Sequence, residues 1–265
     1  MKKIFFFIYA IACYVLFLMI FIYLIGFVEN ISAFSFAGSL KKMFPKTLDN
    51  GISNMPVLFS ILADLLLLLI FGLQHSVMAR KSFKNKWTKI VPAPIERSTY
   101  VLFTSLALIL FFYFWQPKEI IIWNLSNTYT GYIFIFISLL GWWQVIISTF
   151  LLNHFDLFGL RQVYHYAANK QDNDDTLPFR VPLLYRLVRH PLYFGFLIAF
   201  WITPVMTVGH LIFSLGMTTY IFIGIHYEEK DLKEAFGDQY YKYRIQVPKI
   251  IPFTTKHKKR IGNSE

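Results

Sequence analysis

The sequence predicts an all-α integral-membrane helical bundle with about six membrane helices, and three observations carry that prediction. Apolar residues make up 56% of the 265 positions and charged residues only 15%, against about a quarter charged in a soluble domain. The apolar residues gather into blocks long enough to cross about 30 Å of hydrocarbon at about 1.5 Å per helical residue. The basic residues fall between those blocks and are shared unevenly among the linkers.

Residues 4–27 are almost wholly apolar after Lys2 and Lys3. A cleaved signal peptide has a shorter apolar core and a small-residue cleavage site, so this run reads as a retained first span. Further spans run over 56–73, 98–115 and 131–152, and a polar stretch follows at 153–189. The next apolar block, 191–225, is broken near Thr203-Pro204 and Gly209. Each half is short for a full crossing, so the last two membrane helices are expected to form a tight hairpin turned by Pro204 and Gly209. A short cytoplasmic helical segment is expected from His226 to Ala235. One integral-membrane domain would then cover 1–255, with 256–265 as a disordered basic tail. Asp64 falls inside the second span, where an acid is costly and faces the bundle interior with a partner. It is a functional or a structural polar anchor.

Charge sets the expected orientation. Segment 74–97 holds Arg80, Lys81, Lys84, Lys86, Lys89 and Arg97 against the single acid Glu96, whereas 117–130 has only Lys118 and Glu119. The positive-inside rule therefore puts 74–97, 153–189 and both termini in the cytoplasm. Lys41, Lys42 and Lys46 conflict with this, because their loop would lie outside. The net charge of +11 would suggest nucleic acid in a soluble protein. Here it matches topology and anionic headgroups, so the expected partner is the lipid bilayer. Cys13 is the only cysteine, which rules out an intramolecular disulfide and a Cys-based zinc or iron–sulfur site.

Four polar clusters sit at the ends of apolar blocks. In Arg189-His190-Pro191-Leu192-Tyr193-Phe194-Gly195, Pro191 suits the first turn of a helix. The free N–H groups there can hold a carboxylate. Tyr193 shares a face with His190, and Gly195 permits close approach of a ligand or a helix. The bland alternative is an interfacial Arg, His and Tyr at a membrane entry. Glu228-Glu229 follow the apolar block and can bind an ammonium or ribose hydroxyls, or merely pair with Lys230 and Lys233. The hairpin would bring them beside His190. Asn153-His154-Phe155-Asp156-Leu157-Phe158-Gly159-Leu160-Arg161-Gln162 and Gln74-His75-Ser76 place two histidines at the same interface, either of which can act as a base or serve as a hydrogen-bonder. His75, His154, His190 and His226 together leave a haem or metal reading open.

Arg189-His190-Pro191-x-Tyr193-x-Gly195, Glu228-Glu229 and Phe236-Gly237-x-x-Tyr240-x-x-Tyr243 resemble the C-terminal signature of membrane methyltransferases, the group of the isoprenylcysteine carboxyl and phospholipid methyltransferases. A second set of motifs is similar to the nurim-related family: Gln74 to Arg80, Pro94 to Tyr100 and Asn153 to Gln162. This resemblance runs from about Ala63 to Pro252. It implies an S-adenosylmethionine pocket lined by His190, Tyr193, Gly195, Glu228 and Glu229, with no metal. It also implies a small thiol as acceptor, since characterised bacterial members methylate methanethiol to dimethyl sulfide. The acceptor half would draw on His75 or His154 as base and on Arg97 or Arg161 as the cation beside the thiolate. The family also holds proteins without established activity, so a different acceptor and a non-enzymatic scaffold stay open. A bacterial inner membrane is the location the family implies.

Overall fold

The computed structural model describes residues 1–30, 38, 42–53, 55–170 and 179–254. Five of its helices are long and apolar enough to cross a membrane: α1 (Lys2–Val28), α2 (Val57–Ala79), α4 (Glu96–Phe114, entered by a 3₁₀ turn at Ala93–Ile95), α5 (Tyr129–Leu151) and α9 (Val208–Gln246). Among the described residues there are four shorter α-helices: α3 (Lys81–Trp87), α6 (His154–Leu157), α7 (Leu160–Ala167) and α8 (Pro191–Trp201). Large apolar side chains of α1, α2, α4 and α5 point outward, such as Ile8, Leu66, Leu110 and Phe136. Lipid, not water, is their solvent.

The bundle has two ends. The proximal end carries the chain start, the close of α2, α5 and α9, and the start of α4 and α8. There Lys3 Nζ donates to the Ala167 carbonyl at 3.2 Å, and Phe6, Ala10, Ile95 and Val163 form a small core. The main core, Phe27, Phe111, Phe112, Trp115, Trp142, Phe200 and Phe213, lies toward the distal end. There β1 (Ile121–Asn124) pairs antiparallel with β2 (Val205–Thr207), a ribbon that period-3.6 reasoning does not reveal in so apolar a chain.

Three expectations are corrected. The sixth membrane helix is only the 11-residue α8, about 16 Å long. The turn after it runs through β2, and Gly209 is already inside α9: a Cβ there would lie 3.1 Å from the Lys118 backbone nitrogen. The separate helix from His226 to Ala235 does not exist, because α9 runs unbroken through it and kinks only at Gly237 (φ 50°). Continuity has a reason, since Tyr227-Glu228-Glu229-Lys230-Asp231 holds no Gly or Pro to stop the helix. The expected tail, 256–265, lies outside the described residues.

Lys46, in the loop before α2, finds counter-charge in Asp64. Lys118 and Asp64 form a buried ion pair, and the Gln116 N–H donates to the same carboxylate at 2.8 Å. Lys46 Nζ donates to the Tyr113 carbonyl at the end of α4, 2.6 Å away, where the helix dipole favours a cation. Asp64 is thus a structural anchor, at the opposite end from His75. Lys41 lies outside the described residues.

Candidate active site

Helix α8 is placed by two neighbours. Gly195 and Gly141 let α8 and α5 nearly touch: a Cβ on Gly195 would fall 2.6 Å from the Gly141 carbonyl oxygen, and one on Gly141 would fall 2.7 Å from that of Gly195. Small residues permit such close packing in lipid. Gly195 therefore faces a helix. On the other side α8 runs antiparallel to α9, with the Trp201 indole donating to Thr218 at 2.8 Å near one end and His190 meeting Glu228 and Glu229 at the other.

At that proximal meeting point Glu229 is the hub. Its Oε1 accepts from Arg189 Nε at 2.9 Å and from a terminal guanidinium nitrogen at 2.7 Å, and His190 Nε2 lies 3.2 Å away. The other terminal nitrogen of Arg189 donates to the carbonyls of Arg244 (2.9 Å) and Val247 (2.6 Å). Arg189 thereby clamps the end of α9 onto the entry of α8. Glu229 is nearly buried, its side chain 10% exposed, but Glu228 is 42% exposed. Glu228 lies 3.7 Å from His190 Nδ1 and beside the Tyr193 hydroxyl. The α8 N-terminus has Pro191 at its start and no side-chain cap, and the buried Tyr240 hydroxyl has no partner.

A second cluster adjoins the first. His75, near the end of α2, stacks on Phe71, with the Tyr100 hydroxyl 2.9 Å from its ring nitrogens and Thr104 Oγ 3.2 Å from Nδ1. Tyr100 interacts with Arg97, one turn earlier on α4. Tyr220 of α9 faces Tyr100 on α4 and Tyr193 on α8, and its hydroxyl accepts from Ser76 at 3.4 Å. Glu228, Tyr193, Tyr220, Tyr100 and His75 thus lie in one neighbourhood across the proximal end. Arg80 closes the α2–α9 seam, 4.0 Å over the Tyr227 ring and 3.6 Å from Asp231.

His154 stands in a different neighbourhood. Tyr14 (2.7 Å) and Thr149 (2.8 Å) hold the two ring nitrogens of His154, which stacks on Phe150 at 4.1 Å. Burial pushes its pKa down, so the ring is a neutral strut joining α1, α5 and α6. Arg161 lies in the first turn of α7, shortly after Gly159 (φ 84°), where a Cβ would lie 2.6 Å from the Ser98 backbone nitrogen. That glycine seats α7 on the start of α4. Among the described residues no group of three or more His, Cys, Asp or Glu side chains converges as a metal site.

Sequence reasoning passed over three residues. Arg189 stood in the motif but reads equally as an interfacial arginine. Tyr100 closes the motif that starts at Pro94, and its spacing from Arg97 was a usable signal. Tyr220 carries no signal, because an isolated Tyr in an apolar run is also a membrane-interface residue.

No family model matches the chain, and no solved structure matches it. Named relatives do. The chain is 48% identical to a methanethiol S-methyltransferase of Crocosphaera subtropica, over 97% of this chain and 95% of that one. It is 43% identical to a methanethiol S-methyltransferase of Mycobacterium tuberculosis, over 97% of this chain and all of the relative. It is 30% identical to nurim of Xenopus laevis, over 70% of this chain and 67% of nurim.

Proposed function

We propose that this chain, which belongs to the methanethiol S-methyltransferase family, methylates methanethiol to dimethyl sulfide with S-adenosylmethionine as methyl donor. The observation that carries the proposal is the contiguity of two half-sites, His190–Glu228–Tyr193 and His75–Tyr100–Arg97, joined by Tyr220.

The first half-site fits the donor. Glu228 is an accessible carboxylate for an ammonium or ribose hydroxyls, and the uncapped α8 N-terminus suits a carboxylate. The partnerless Tyr240 hydroxyl is a further polar group. When bound, S-adenosylmethionine supplies an electrophilic methyl group, so a thiolate sulfur takes that methyl while the electron pair of the broken carbon–sulfur bond stays with S-adenosylhomocysteine.

The second half-site generates the thiolate. His75 accepts the thiol proton, with Tyr100 and Thr104 fixing its ring. Arg97 stabilises the developing negative charge from the same face of α4. His154 then acts as a support, because it ties α1 to α5 and α6. Holding both reactants in one site removes the entropy cost of their encounter. A small apolar thiol dissolves in lipid and can enter laterally, whereas the charged donor arrives from water.

Residues 1–255 form one membrane domain, and α8, packed antiparallel on the first half of α9, is a sixth, partial-depth membrane helix. The proximal end faces the cytoplasm of a bacterium, since Arg80, Lys81, Lys84, Lys86 and Lys89 sit there. The test is direct: purified protein given S-adenosylmethionine and methanethiol releases dimethyl sulfide into the headspace. Folded protein that yields no methylated product would overturn the assignment.

A further inference from the structure

We infer that Tyr220 sets the size of the methyl acceptor, an inference that rests on the function proposed above. Tyr220, Gly224 and Glu228 recur every four residues, so they lie along one side of α9, about 12 Å from first to last. Gly224 leaves the gap in that stripe: the Tyr193 hydroxyl lies only 3.6 Å from where a Cβ would stand. Donor-side groups therefore fill the stripe from Glu228 to Gly224, and the Tyr220 ring is the next thing they meet.

The ring also closes the acceptor side. It lies edge-on to Phe71, with centroids 6.0 Å apart at 62°, and edge-on to His75, at 6.4 Å and 68°. Its back is seated on Gly72, where a Cβ would come within 3.0 Å of the ring carbon Cδ2, and its hydroxyl is held by Ser76. Two residues of α2 thus pin the ring against translation along either helix. One turn earlier Gly216 packs on Leu68, where a Cβ would meet a Leu68 methyl at 2.6 Å, so the ring cannot retreat that way. Tyr220 is a fixed wall beside the proton-accepting histidine, at the border of the donor pocket. An acceptor carbon chain longer than one methyl must grow into that wall.

The test compares methanethiol with 1-propanethiol as the ratio of their kcat/KM values, in wild type, Tyr220→Ala and Tyr220→Phe. A misfolded fraction lowers both rates equally and cancels in the ratio. Tyr220→Ala is expected to shift the ratio toward propanethiol by about tenfold or more, the scale of discrimination that a pocket wall gives per methylene. Tyr220→Phe keeps the ring and is expected to stay within about twofold of wild type, as simple loss of one weak hydrogen bond leaves the wall in place. An unchanged ratio in Tyr220→Ala overturns the inference. So does an equal shift in Tyr220→Phe, which would assign selectivity to the hydroxyl. Wild type inactive on both thiols would instead refute the function proposed above.

Discussion

Glu228 and Glu229 are adjacent in sequence yet should fail in opposite ways when truncated. In Glu229→Ala, the Arg189 guanidinium, 7% exposed, loses two of its four hydrogen bonds and its counter-charge. Removing one partner of a buried pair costs about 3–5 kcal/mol. Lys249 and Arg244 lie 3.8 and 4.0 Å from the same carboxylate, but both are half exposed, and such pairs add less than about 1 kcal/mol. A loss of about 3 kcal/mol should lower the melting temperature by roughly 10 °C. Glu228→Ala removes a side chain that is 42% exposed, so its stability should change by less than about 0.5 kcal/mol. Its affinity for S-adenosylhomocysteine should fall about tenfold to a hundredfold, the value of about 1.5–3 kcal/mol for one charged hydrogen bond. Thermal unfolding in detergent and calorimetric titration read the two quantities separately. The reasoning is refuted if Glu228→Ala is as destabilised as Glu229→Ala and binds S-adenosylhomocysteine like wild type.

Other regions give independent expectations. Gly195→Ala should destabilise by at least about 1–3 kcal/mol, because its Cβ meets a backbone oxygen that cannot yield; thermal unfolding checks this. Lys118→Ala should cost about 3–5 kcal/mol by leaving Asp64 buried and unpaired, and adding Asp64→Asn should recover part of that loss. His154 is held neutral by burial, with its pKa below the ordinary value. The unfolded chain takes up a proton near pH 6.5 that the fold resists, so stability should decline as pH falls below about 6.5. His154→Gln should flatten that decline, as measured by melting temperature from pH 7.5 to 5.

The bundle was legible because long apolar blocks have few alternatives in lipid. The convergence of His190 with Glu228-Glu229 was legible as well, since Pro191 marks a helix start and the apolar block between them must turn back. The division of labour between the two glutamates was not. It depends on which of two neighbours points at Arg189, and the angular position of a residue on α9 is fixed by packing on α8 and α2, not by local sequence. The continuity of α9 past His226 was missed because a change of solvent, from lipid to water, alters composition without breaking a helix. Lys46 looked misplaced only because Asp64, its counter-charge, is remote in sequence.

The central claim is that His75 prepares the acceptor while the His190–Glu228 pocket holds the donor. Single-turnover transfer from a deuterium-labelled methyl donor in His75→Ala tests it most directly, with S-adenosylhomocysteine affinity measured on the same preparation. The account predicts affinity within about twofold of wild type, and labelled dimethyl sulfide formed about a hundredfold or more slowly, the scale of a lost general base. Wild-type transfer rates in His75→Ala would contradict it.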